Sequence, residues 1–184
     1  FIDFEDKENK KPSGKTVIGI PRAMYTYDRL PFWNAFFSEL GFEVVISDTS
    51  NKKVINYGIE SVVAEPCFPI KVAHGHVKDL LEKDVDYIFV PNIINSETEF
   101  MNVNSHLCPW GQTMTFVIGH SPMMEGHENK ILRPTIHFRD GKEVVTKELQ
   151  DFAKNIGFGR EKVRKAVDAA YDSQISFQRK ILEV

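Results

Sequence analysis

Four short apolar runs punctuate the chain: Thr16–Ile20 (TVIGI), Glu43–Ser47 (EVVIS), Ile59–Ala64 (IESVVA) and Asp86–Val90 (DYIFV). Between them lie longer stretches with helical periodicity. Strand and helix alternating at this spacing predict βαβ units and a mostly parallel sheet. The expected fold class is therefore α/β, a Rossmann-like sheet flanked by helices, with a long C-terminal helix. No G-x-G-x-x-G follows the first run, which argues against a dinucleotide cofactor.

The intervening segments fill in this frame. Pro21–Tyr27 reads as a loop, Asp28 as a helix cap and Pro31 as a first-turn residue. Trp33, Phe36, Phe37 and Leu40 recur at helical spacing and read as core, with Gly41 ending the helix. Asn51–Gly58 reads as a short helix, and Phe68–Glu82 as a longer one with Ile70, Ala73, Val77 and Leu80 inward. Asn92–Leu107 is a polar loop of a length that points to function or disorder. A helix is expected from Pro109 to about Ile118, then a loop over Ser121–Asn129. Ile131–Arg139 reads as an edge strand because of Pro134. Val144–Ile156 is helical, and Gly157-Phe158-Gly159 breaks it.

The domain reading is a linker over 1–15, an α/β domain over 16–158 and an amphipathic helix over 159–184. That helix carries Val163, Val167, Ala170, Phe177 and Ile181 on one stripe. It keeps its helical character to the last residue and the chain starts without Met, so a piece of a longer protein is expected. Gly14-Lys15-Thr16 resembles the end of a phosphate loop, but Asn9 stands where the first glycine is needed.

At 184 residues, 42% hydrophobic, the chain can bury one core. A net charge of −3 gives no reason to expect nucleic acid or a membrane surface as partner. No apolar run reaches the roughly 18–20 residues that span a bilayer. Two cysteines cannot make a secreted disulfide framework, so a cytoplasmic protein with reduced thiols is expected.

The chemistry concentrates in Val62–Lys78 (VVAEPCFPIKVAHGHVK) and Leu107-Cys108-Pro109-Trp110. A lone cysteine is most often a buried apolar residue. Here, however, Cys67 and Cys108 both precede an expected helix and are both followed by a proline within two residues. A helix amino end favours the thiolate that metals and nucleophilic chemistry need. Three functional readings stand. The pair could ligate an iron–sulfur cluster, although a cubane takes three or four protein ligands. It could bind zinc with His74, His76 or His106, although positions 74 and 76 diverge by about 200° on a helix. One cysteine could be a nucleophile served by a histidine. His120, His127 and His137 read as surface residues, and Glu65 as a salt-bridged carboxylate or an acid–base group.

The series IGIPRAMYTYDRLPFW, FFSELGFEVVISD, ESVVAEPCFPIKVAHGHV, DYIFVPNI and LCPW resembles the uncharacterised α/β domain of the CoA-substrate-specific enzyme activases. These are large proteins described as activators of (R)-2-hydroxyglutaryl-CoA dehydratase. The resemblance runs from about Val17 through the C-terminal helix. It implies actin-like ATPase segments and dehydratase-like segments of the same parent chain as partners, with ATP bound only there. It also implies a [4Fe–4S] cluster in low-potential electron transfer, with Cys67 and Cys108 as candidate ligands and a third ligand beyond Val184. Glu65, His74, His76, Arg22 and Tyr25 would surround the sulfurs. A homodimer is compatible with this picture. The rival reading is a docking module whose cysteines are simply buried.

Overall fold

The computed structural model describes residues 14–100 and 102–183. Strands β1 (Val17–Ile20), β2 (Glu43–Ile46), β3 (Tyr87–Phe89) and β5 (Ile131–Leu132) form a four-stranded sheet in the order β2-β1-β3-β5. All three pairings are parallel. A second, two-stranded parallel sheet joins β4 (Asn92–Asn95) to β6 (Thr135–His137). It continues β3 and β5 after a break at Pro91 and Pro134. These residues lack the N–H that a ladder needs, but bonding resumes at once: Asn92 N–H donates to the Pro134 carbonyl at 2.8 Å.

The α/β class with a mostly parallel sheet and a long C-terminal helix is what the sequence predicts. Several local expectations are corrected. Ile59–Ala64 is not a strand. Helix α3 runs through Lys52–Ser61, and an irregular link leads to α4 (Phe68–Glu82). The helix persists because Val54, Gly58 and Ser61 all turn to its buried side. Val63, by contrast, is 69% exposed, so this β-branched run has no sheet to join. The short helix α1 (Met24–Asp28) begins within Pro21–Tyr27. Asp28 ends that helix, and Arg29 holds the cap position of α2 (Leu30–Leu40). Asn92–Leu107 is not all loop, since it begins with β4, where Asn92, Ile93 and Asn95 are buried. Ser121–Asn129 includes one short 3-10 turn, Pro122–Met124, and the start of a second, Glu128–Lys130, and Ile131–Arg139 is two strands divided at Arg133-Pro134.

Helix α5 (Pro109–Gly119) follows β4, and α6 (Lys142–Lys154) and α7 (Arg160–Leu182) close the chain. Strand alternation divides the core. Ile18, Ile20 and Phe89 face α2, α6 and α7, while Val17, Ile88 and Val90 face α4 and α5. On α7, Val163, Val167 and Ala170 are buried, but Ile181 is 57% exposed, so the predicted stripe is covered only along its first part. Residues 1–13 of the expected linker, and Val184, lie outside the described residues. None of the described helices is long and apolar enough to cross a membrane.

Candidate functional site

Cys67 and Cys108 are the N-cap residues of α4 and α5, each followed by a proline in the first turn. Both thiols are free and exposed, so the buried-cysteine reading fails for both. Helix α4 leads into β3 and lays Leu80 over Gly19, where a Cβ would come within 2.9 Å of Leu80 Cδ2. Its earlier residue His76 meets Ser47, just past the end of β2. The amino end of α4 therefore lies on the side where the parallel strands finish. The amino end of α5 meets Tyr25, from the segment after β1. Both cysteines thus sit beyond the carboxyl edge of the sheet, the side where open α/β sheets take ligands.

Their surroundings differ. The Cys108 N–H donates to Tyr25 Oη at 3.0 Å. The Tyr25 ring lies against Gly111, where a Cβ would sit 2.3 Å from a ring carbon. Met24, just before Tyr25, has a φ of 49°, a left-handed conformation uncommon outside glycine. Around Cys67, the Cys67 carbonyl accepts from Ile70 and Lys71 N–H, and Lys71 Nζ pairs with the Glu65 carboxylate. Glu65 is a salt-bridged, exposed carboxylate that reaches back along the link. That link also passes α5, since Val63 lines a groove with Gly119 and His120. An exposed aromatic accompanies each thiol: Phe68 at 57% and Trp110 at 41% exposure.

The two histidines of α4 are fully buried. His76 Nδ1 is 2.9 Å from Ser47 Oγ and Nε2 is 3.0 Å from Ser50 Oγ. Ser47 Oγ also accepts the Arg22 N–H at 2.8 Å, and Arg22 Nε donates to the Ser47 carbonyl. Burial pushes the His76 imidazole down to about 4, so it is neutral near pH 7. Beside it, Asp79 Oδ2 accepts the Asp48 N–H at 2.9 Å, and Lys83 bridges Asp48 and Asp79. The Lys83 hydrogen bond holds the Asp48 carboxyl below its ordinary value. Arg22, Ser47, His76 and Asp79 thereby bolt the loop after β2 to α4.

His74 Nδ1–H donates to the Ile70 carbonyl at 2.8 Å, which leaves the lone pair on Nε2, buried and without a hydrogen-bond partner. Burial lowers its basicity as well. The zinc reading drew on His74, His76 or His106, and the two α4 rings are engaged in the interior, His74 with the Ile70 carbonyl and His76 with Ser47 and Ser50. Among the described residues, no group of three or more His, Cys, Asp or Glu side chains is placed to hold a metal ion. His106 is exposed and its backbone bridges Asn95. His137 is more than a surface residue, because Glu148 takes its Nδ1 at 2.6 Å and its N–H at 3.0 Å.

The structure thus joins Tyr25 to Cys108, Arg22 to His76 and Glu65 to Lys71. Sequence reasoning missed Ser47, Ser50, Asn92 and Gly111. Only Gly111 carried a local signal, a glycine in the first turn of a helix.

A family described as CoA enzyme activase uncharacterised domain matches residues 17–184. The search of curated proteins and the search of solved structures each gave no match. The chain belongs to that CoA enzyme activase domain family.

Proposed function

We propose that, as a CoA enzyme activase domain, this chain lends Cys67 and Cys108 as thiolate ligands to a [4Fe–4S] cluster in low-potential electron transfer. One observation carries the reading: two exposed cysteines hold the N-cap positions of helices on the same edge of a parallel sheet. Proline in the first turn stiffens the backbone that presents each sulfur. The donors suit an iron–sulfur site in kind and fall short in number, because a cubane takes three or four ligands. The remaining ligands would come from other segments of the parent chain. When bound, such a cluster supplies a one-electron carrier. This chain's part is to fix two sulfurs and to surround them with Tyr25, Glu65 and Lys71.

In this proposal the actin-like ATPase segments and the dehydratase-like segments of the same parent chain are the partners. ATP is hydrolysed on the former, and the electron serves reductive activation of a 2-hydroxyacyl-CoA dehydratase. A second reading, a docking module, is favoured by the exposed Phe68 and Trp110.

The test is anaerobic iron and acid-labile sulfide per chain on the full-length parent and its Cys67→Ser, Cys108→Ser variant. Loss of one cluster's iron with ATP hydrolysis intact is the expected result. An unchanged iron content overturns the ligand role and leaves the docking module.

A further inference from the structure

We infer that Tyr25 is the positioning residue of Cys108, a role that rests on the ligand reading above. Three observations converge on it. The Tyr25 hydroxyl accepts the N–H of Cys108 itself, at 3.0 Å. The contact spans the chain from residue 25 to residue 108, so it ties the segment after β1 to the amino end of α5. The ring has its place only because position 111 is glycine, since any Cβ there would stand 2.3 Å from a ring carbon. The backbone before the ring is held at a φ of 49° at Met24, an uncommon state that persists only where surrounding contacts impose it.

The first N–H groups of a helix have no partner within the helix. At α5, Tyr25 satisfies the one belonging to the thiol-bearing residue. It thereby holds the backbone of Cys108 through its N–H. A ligand must be held closely for its metal group to stay bound, and here the hold comes from outside the helix. The described hydrogen bonds of Cys67 are local. Its first turn is closed by its own carbonyl, which accepts from Ile70 and Lys71. The Cys108 carbonyl makes a local bond of the same kind, accepting from Gln112 N–H at 3.0 Å, and the contact with Tyr25 comes in addition to it.

Tyr25→Phe keeps the ring and removes the acceptor. An ordinary hydrogen bond corresponds to a factor of about five in a local opening equilibrium. In the full chain, amide hydrogen exchange at Cys108 is expected to quicken about five-fold in Tyr25→Phe, with the Ile70 and Lys71 amides unchanged. In the parent, the variant should retain its initial iron but release it several-fold faster to a chelator. Gly111→Ala, which displaces the ring, should behave alike. An unchanged Cys108 exchange rate overturns the anchoring. Iron lost in Cys108→Ser alone, with wild-type release in Tyr25→Phe, overturns the role of Tyr25 and spares the ligand reading. Iron retained in Cys108→Ser overturns both.

Discussion

The two faces of the sheet are built on different principles. On the face covered by α2, α6 and α7, the buried set includes Phe32, Trp33, Phe36, Phe37, Phe42, Phe89 and Phe138. Their rings meet mostly edge to face, as Phe32 does Trp33 with centroids 4.8 Å apart. The face covered by α4 and α5 buries no aromatic side chain in its core cluster. It holds instead His74, His76, Asp79 and Thr115, and α3 packs onto α4 through glycine backbones. One face is held by volume, the other by hydrogen-bond partners and close backbone approach. Both cysteines cap helices of the second face. A thiol whose use depends on placement gains from a layer whose geometry is set by directional bonds.

Removing volume should hurt the aromatic face most. Trp33→Ala, at a fully buried ring, is expected to cost about 3–5 kcal/mol in urea unfolding. A loss below about 1 kcal/mol would show that the aromatic face is not the volume-limited one. On the other face the sensitive change is an addition. A Cβ at Gly75 would stand 1.9 Å from the Val54 carbonyl oxygen, and backbone on both sides leaves nothing to rotate away. Gly75→Ala should therefore destabilise by about 2–3 kcal/mol, despite alanine's better helix propensity. A neutral or stabilising result would mean the helices separate freely, and the contrast would collapse.

The third test uses pH and is the smallest. His76 has a folded value near 4 against an ordinary 6.5, so the unfolded chain takes up the proton first as pH falls. Its stabilising contribution is complete above 6.5 and is lost between there and about 4. Lowering the pH from 7 to 5 should cost about 2 kcal/mol from this group. His74 is shifted in the same direction and adds to the slope. His76→Gln should flatten the dependence of the urea midpoint over that interval. A slope identical to wild type would remove His76 from the description of this face.

The aromatic face was legible in the sequence, and the polar face was not. Trp33, Phe36, Phe37 and Leu40 announce their burial by spacing alone, because volume needs only periodicity. β1 and β3 were legible because central parallel strands read as unbroken apolar runs, and β2, at the sheet edge, by its own short apolar run Val44–Ile46. Val62-Val63-Ala64 looks the same and is not a strand, since the place beside β1 is already filled by Tyr87–Phe89. Asn92–Asn95 reads as loop because its asparagines are polar, yet their backbones pair with Thr135 and His137. The burial of His76 could not be read from α4. Its partners Ser47 and Ser50 are remote in sequence, and only the fold brings their hydroxyls to its ring. Of the site, the two cysteines at helix N-cap positions were legible from Pro69 and Pro109. The hydrogen bond from Cys108 to Tyr25, across most of the domain, was not.

The glycine contact between α3 and α4 has a mechanical consequence. Gly58 and Gly75 each face the other helix's carbonyl with no side chain between, so neither helix can slide by one residue without collision. The two helices form a locked fork, and residues 62–67 close its open end. Cys67 is then a member of a small ring, not the tip of a tether. A ring of fixed circumference has few shapes, and the entropy of closing it was spent when the fork assembled. Lengthening the ring by a single residue would change the pose of the thiol without altering any residue that touches it.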